Sequence, residues 1–290
     1  MLIKYRVNLI FLCLISYTCF SQNGHSKVIK TFHIGGNGGW DYIALNDHKL
    51  YVSHGTHVNI VDENSGDSVG IIEGTTGVHG IAFYNERHKG YTSNGRLNNV
   101  FVFDLLTNKV LKQIATGGNP DAIMYDAFSN KIITCNGGGR SLSIIDPLND
   151  TVVATIDLQA KPEEAVSSGN GKLYVNLEDK NQIAEVDLKT FTVLNRWPIT
   201  PGESATGLAI DRKTNRLFAG CDNKLLVVLN SNTGKVITSL PIGDGCDGVV
   251  FDEKEKMIYA SNGEGNVTAI EEMDGDKFKV IATIPTQKSA

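Results

Sequence analysis

KLYVSHGTHVNIVDENSG, Lys49–Gly66, decides the fold. It holds two short runs rich in Val, Ile and Tyr, separated by HGTH and closed by DENSG. Runs of this kind, bounded by Gly, Asn, Asp or Lys, read as strands joined by tight turns. The pattern returns in KGYTSNG…VFVFD, KIITCNG…LSIID, KLYVNLE…IAEVD, RLFAGCD…LVVLN and MIYASNG…VTAIE. Ahead of each pair lies another strand-like window: DYIAL, HGIAF, DAIMY, EEAVS, TGLAI and DGVVF. After each lies a fourth: SVGIIEG, VLKQIATG, VVATIDL, VLNRWPI, VITSLPIG and VIATIPT. No long window keeps a helical period.

Four short strands in a repeat of roughly 42 residues are the signature of a β-propeller blade. The repeats start near residues 38, 77, 119, 161, 204 and 245, within a single all-β domain over 26–290. A remainder precedes them. SKVIKTFHIGG, Ser26–Gly36, carries the fourth-strand pattern of KVLKQIATGG with no inner strands ahead of it. The expectation is a propeller that is seven-bladed in design, with six complete four-stranded blades plus an N-terminal closing strand. The C-terminal part of the last blade is then absent. The alternative is a six-bladed ring with an extra N-terminal strand.

With these residues in view, the chain resembles the YVTN-type, YncE-like family of secreted seven-bladed β-propellers. KLYVSHGTHVNIVDENSG, GVHGIAF, GGNPDAIMY and KLYVNLEDKNQIAEVDLKT carry the likeness, which spans nearly all of the chain after its leader. The resemblance implies fold more than activity. In some members it implies DNA binding or a surface-antigen role.

The leader is MLIKYR followed by VNLIFLCLISYTCF and Ser21, which reads as a secretory signal peptide over residues 1–21. Its apolar stretch, about 14 residues, is shorter than the ~20 needed to span a bilayer. The protein is therefore expected to be exported, to the periplasm or to the cell surface. Lys4 and Arg6 leave with the leader, so 25 basic and 32 acidic side chains remain, a net charge of −7. Such a chain has no global attraction for nucleic acid or anionic lipid. Nucleic acid is not an expected partner, no membrane span is expected, and the protein is expected to be monomeric. Cys135, Cys221 and Cys246 remain at long spacing, which suits buried apolar thiols better than a disulfide framework or a zinc motif.

Aligning the first-strand starts gives a candidate site. One column reads Asp41, His79, Asp121, Glu163, Thr206 and Asp247. First strands line a propeller's central channel, so this column is expected at the channel mouth. Asp41, His79, Asp121, Glu163 and Asp247 form a candidate donor set for a divalent cation: Ca²⁺ or Mg²⁺ from the oxygens, Zn²⁺ or Mn²⁺ with the imidazole. Like charges around one opening should raise carboxylate pKa values unless a cation is present. Against this stands a plainer role as solvated turn residues. Trp40, Asn94, Arg96, Asn136, Arg140 and Lys180 are expected beside the mouth, where cationic side chains could orient an anionic or zwitterionic ligand. A second column, Asp62, Asp104, Asp146, Asp187, Asn230 and Glu271, ends the third strands and is expected to anchor turns.

No GxSxG elbow, HExxH or phosphate loop is present, and no catalytic residue is assigned. The expected function is recognition of a small polar ligand, a cation or a protein partner at the mouth. The alternatives are a metal-assisted hydrolase of the propeller lactonase kind and a structural surface scaffold.

Overall fold

The computed structural model describes residues 27–36 and 39–288, which form six four-stranded antiparallel sheets. In each sheet the strands lie side by side in chain order. Blade 1 holds β1 (Trp40–Asn46), β2 (Lys49–His54), β3 (His57–Asp62) and β4 (Ser68–Glu73). Blade 2 holds β5 (Val78–Tyr84), β6 (Lys89–Asn94), β7 (Asn99–Asp104) and β8 (Val110–Ala115). Blade 3 holds β9 (Pro120–Asp126), β10 (Lys131–Asn136), β11 (Ser141–Asp146) and β12 (Thr151–Asp157). Blade 4 holds β13 (Pro162–Ser167), β14 (Lys172–Leu177), β15 (Gln182–Asp187) and β16 (Thr192–Pro198). Blade 5 holds β17 (Ala205–Asp211), β18 (Arg216–Cys221), β19 (Leu225–Asn230) and β20 (Val236–Pro241). Blade 6 holds β21 (Cys246–Asp252), β22 (Met257–Asn262), β23 (Asn266–Glu272) and β24 (Phe278–Pro285). The expected all-β propeller blades are therefore present. The signal-peptide reading concerns residues outside those described.

Turn chemistry closes the hairpins as the second acidic column requires. Asp62 Oδ1 accepts from the N–H groups of Asn64 and Ser65 at 2.9 and 2.8 Å. Asp104, Asp187 and Asn230 do the same for their own turns. Backbone donors aimed at a carboxylate favour its ionised form, and they hold Asp62, Asp104 and Asp187 below the usual range.

The core lies between blades. Tyr51, Tyr91, Tyr174 and Phe218 share one repeat position and are buried against the next blade. Tyr91 also donates its hydroxyl to Asp150 across the blade 2–blade 3 interface at 2.9 Å, and Tyr174 donates to the Ser231 carbonyl across blades 4 and 5 at 2.7 Å. Arg216 pairs with Glu272 at 2.6 Å to tie blade 5 to blade 6. Cys135, Cys221 and Cys246 are free thiols buried in these interfaces. Burial pushes Cys221 and Cys246 up to about 12, which makes both poor nucleophiles.

Blades 6 and 1 break the pattern. β1 and β21 lack the side-by-side contact that joins the other neighbouring first strands. Ile43 is 67% exposed, whereas Ile81, Leu208 and Val249 at the same repeat position are 7%, 2% and 7% exposed. On blade 6, Val250 is 63% exposed, whereas its equivalents Ala82 and Ala209 are 4% and 6%. One face of each of these blades is thus uncovered. Residues 27–36 form no strand.

This difference sets a test. Leu208→Asp buries an unpaired carboxylate between blades 4 and 5 and should cost more than about 3 kcal/mol. Ile43→Asp, at the same repeat position on an uncovered face, should change stability by less than about 0.5 kcal/mol. Urea unfolding of both variants measures the contrast.

Candidate functional site

The mouth column is built by backbone irregularity. In β1, the pairs Trp40↔His54 and Ile43↔Val52 leave Asp41 and Tyr42 opposite Ser53 alone. The same two-against-one bulge puts His79 and Gly80 opposite Ser93, Asp121 and Ala122 opposite Cys135, and Glu163 and Glu164 opposite Asn176. Thr206 and Asp247 are single extra residues at the same place in β17 and β21. A bulge twists its strand and re-aims the extra side chain. Here it turns each column residue away from the sheet alternation. The amides left over are satisfied locally: Tyr42 N–H donates to Ser53 Oγ at 2.7 Å and Gly80 N–H to Ser93 Oγ at 2.9 Å.

His79 sits among the acids. Its Nδ1 lies 2.5 Å from Asp41 Oδ2 and 3.8 Å from Asp121 Oδ2. The hydrogen bond to Asp41 raises its pKa, with the charge of Asp121 adding, so the ring is held toward its imidazolium form. Burial raises Asp121, and repulsion from Asp41 and Asp247 adds to it, while His79 and a hydrogen bond from Tyr42 pull the other way. Burial and Asp41 likewise raise Asp247. Glu163 is 2.6 Å from Lys161 Nζ, and Lys161 also reaches Glu178. Burial nevertheless lifts Glu163 to about 7, because one shared ammonium offsets only part of the surrounding negative charge.

Two members of the site were not singled out from the sequence. Tyr42 leaves blade 1 and its ring joins the core shared by blades 3 and 4, beside Cys135, Ala122 and Ala165. It therefore lies across the bore, with its hydroxyl on Asp121. Glu164 stands at the repeat position of Tyr42, Gly80, Ala122, Gly207 and Gly248, one step deeper than the mouth column. Part of its surface borders open space, but protein surrounds the carboxylate. Burial lifts it to about 8, with Asp121, Glu163 and Asp247 adding. The signal was present in the doubled acid of KPEEA, where five other repeats carry an uncharged residue at the second position.

The remaining candidates divide. Thr206 donates its hydroxyl to the Cys246 carbonyl of the next blade. Trp40 is half exposed and stacks on His54, with centroids 3.8 Å apart and planes at 17°. Asn94 and Asn136 are buried and spend their amides inside their own hairpins, on Asn99 at 3.0 Å and on Ser141 and Ser143 at 3.1 and 3.0 Å. Arg96 is exposed, its stem over Gly77. Arg140 bonds Asp179 at 2.5 Å and the Gln159 carbonyl at 3.1 Å, and Lys180 lies 3.8 Å from the same Asp179. Arg140 and Lys180 are thus held at Asp179. Among the described residues no three His, Cys, Asp or Glu side chains converge as ligands of one ion. No described helix is long and apolar enough to cross a membrane. A groove of about 640 Å³ between the outer strands β12 and β16 lies on the rim, away from the mouth.

No family model and no curated protein matches the chain. Solved structures do. A chain of hydrazine synthase from Kuenenia stuttgartiensis matches with a TM-score of 0.58 at 15% identity, covering 88% of this chain and 99% of that one. The protein U3-55K matches with a TM-score of 0.76 at 9% identity, covering 87% of this chain and 83% of that one. The WD40 repeats of RRP9 match with a TM-score of 0.76 at 10% identity, covering 87% and 82%. At these identities the likeness is one of fold: this chain is built as a β-propeller.

The raised acids make stability depend on pH. Glu164 binds its proton more tightly folded than unfolded, so its contribution is complete below the unfolded value near 4.5 and is lost as pH rises through about 8. Glu164→Gln removes this penalty. The variant should match the parent near pH 4.5 and be more stable at pH 9, as read by urea unfolding at the two pH values.

Proposed function

We propose that this chain is an exported propeller that recognises a cationic group, carried by a small polar ligand or a protein partner, at the channel mouth. One observation carries the reading. Asp41, Asp121, Glu163, Glu164 and Asp247 crowd one opening, and the His79 imidazole is bonded to Asp41 among them. Carboxylates that retain protons for lack of countercharge release them when a cation arrives. The acids are spread around the bore rather than gathered on one point. An ammonium or guanidinium group with several N–H donors can bridge such acids, whereas a bare metal ion needs them within one coordination shell. Trp40 at the rim offers an aromatic face for the same group. The propeller neighbours fit a recognition module in general. Export rests on the leader sequence.

The test is calorimetric titration with putrescine, beside dialysis against Ca²⁺, Mg²⁺, Zn²⁺ and Mn²⁺ with metal analysis. Putrescine should bind with net proton release at pH 7. Its affinity should fall at least about tenfold in Asp121→Asn and in Asp247→Asn, the loss expected when one charged partner is removed. Binding unchanged in both variants would sink the reading. A divalent ion retained by the parent and lost from both variants would favour the metal site and the hydrolase alternative instead.

A further inference from the structure

Lys49, Lys89, Lys131, Lys172 and Arg216 hold one repeat position, the first residue of β2, β6, β10, β14 and β18. Four of them meet a carboxylate. Lys89 Nζ lies 2.7 Å from Asp150, Lys131 Nζ 3.6 Å from Asp146, Lys172 Nζ 2.5 Å from Glu185 and Arg216 Nη1 2.6 Å from Glu272. Lys49 is half-buried and makes no ion pair among the described residues. The tyrosine two residues further on shows the same contrast. Tyr91 donates to Asp150 at 2.9 Å and Tyr174 to the Ser231 carbonyl at 2.7 Å. Tyr51 is 1% exposed, yet its hydroxyl makes no hydrogen bond among the described residues.

Two replacements within the repeat account for this. Asn108 stands where Asp150 stands one blade later. Each donates its backbone N–H to the carbonyl four residues back at 2.8 Å, and each is left-handed, with φ of 59° and 52°. The Asn108 amide is turned onto Gly70, where a Cβ would fall 2.4 Å from its Nδ2, and its Oδ1 is buried without a hydrogen-bond partner. Ile60 lies opposite Tyr51 as Glu185 lies opposite Tyr174. The blade 1–blade 2 interface thus keeps the cation and the phenol but lacks the acid. A cavity of about 420 Å³ opens there, lined by Lys49 and Tyr51 from blade 1 and by His88, Leu105 and Leu106 from blade 2. It lies at the end of β1 remote from the mouth.

We propose that this cavity binds a small organic carboxylate, whose oxygens take the place that the Asp150 carboxylate fills between blades 2 and 3. Lys49 Nζ and the Tyr51 hydroxyl are the donors, and a charge-assisted hydrogen bond is the stronger kind. Leu105 and Leu106 give an apolar wall for a short hydrocarbon body, and the volume is that of a small-molecule site. Inorganic phosphate fits less well. It would set unpaired oxygens against the leucines, and Asp47 on the same wall repels a second negative charge.

The probe is butyrate, titrated while the amide NMR signals of Asp47, Asn85 and His88 are followed, with inorganic phosphate and butylamine as controls. Butyrate should move these signals and butylamine should not. Lys49→Met should melt no lower than the parent and bind butyrate at least about tenfold more weakly, the loss expected when a charged donor is removed. Tyr51→Phe should weaken binding about threefold to tenfold. Asn108→Asp supplies the missing carboxylate from within the chain. It should raise the melting temperature by roughly 2 °C or more and abolish butyrate binding. Signals that do not move with butyrate, or affinity unchanged in Lys49→Met, overturn the proposal. Phosphate bound more tightly than butyrate overturns the carboxylate assignment, and parental butyrate binding by Asn108→Asp overturns the shared place. These readouts lie on the face opposite the putrescine site, so the two proposals fail separately.

Discussion

Everything in this molecule depends on covering the two faces of a four-stranded sheet. An isolated sheet of this kind has apolar residues on both sides and cannot bury either alone. Stacking blade on blade removes both faces from water, and the repeat positions that carry Tyr51, Tyr91, Tyr174 and Phe218 supply the bulk at each interface. Burial of such a side chain is worth about 1.5–3 kcal/mol. Polar links such as Tyr174 to Ser231 add roughly 1 kcal/mol each and fix the angle between blades. Where the stack is interrupted, at blades 6 and 1, apolar residues at equivalent repeat positions, Ile43 and Val250, face solvent.

The face-to-face stack also dictates the mouth. First strands converge toward the axis, and a regular strand would alternate its side chains into the two interfaces. The bulge opposite Ser53, Ser93, Cys135 and Asn176 breaks the alternation at one place in each blade and frees a side chain for the channel. Ser53 and Ser93 then satisfy the displaced amides, so the irregularity does not strand a buried donor. Acids so placed are close enough to repel one another. Their repulsion is relieved in part by His79 and Lys161 and in part by retained protons.

Much of this was legible in the sequence, for physical reasons. Strand windows and turn residues are local, so their spacing predicted the blades, and Asp62, Asp104 and Asp187 predicted their turn bonds. The mouth column was found as a column, because six copies of one position make a pattern. Its surroundings were less accessible. Tyr42 reaches across the axis to blades 3 and 4, a contact between distant repeats that no local pattern encodes. The role of Glu164 follows from the bulge, which no local sequence pattern encodes. The sequence offers Arg140 and Lys180 as ligand contacts, but the fold sets Asp179 between them. Asn94 and Asn136, expected beside the mouth, spend their amides on completing their own hairpins. Over the described residues 27–36 the N-terminal strand pattern shows itself in contacts to blade 1 rather than in sheet hydrogen bonds.

The central claim is that the mouth is a crowded acid site short of countercharge. Carbon-13 NMR titration of the carboxyl groups, with Glu163→Gln and Glu164→Gln used for assignment, addresses it directly. The account predicts that Glu163 titrates near about 7 and Glu164 near about 8, and that both move to lower pH when putrescine is added. Titration of every mouth carboxyl below pH 5 without any ligand would contradict it.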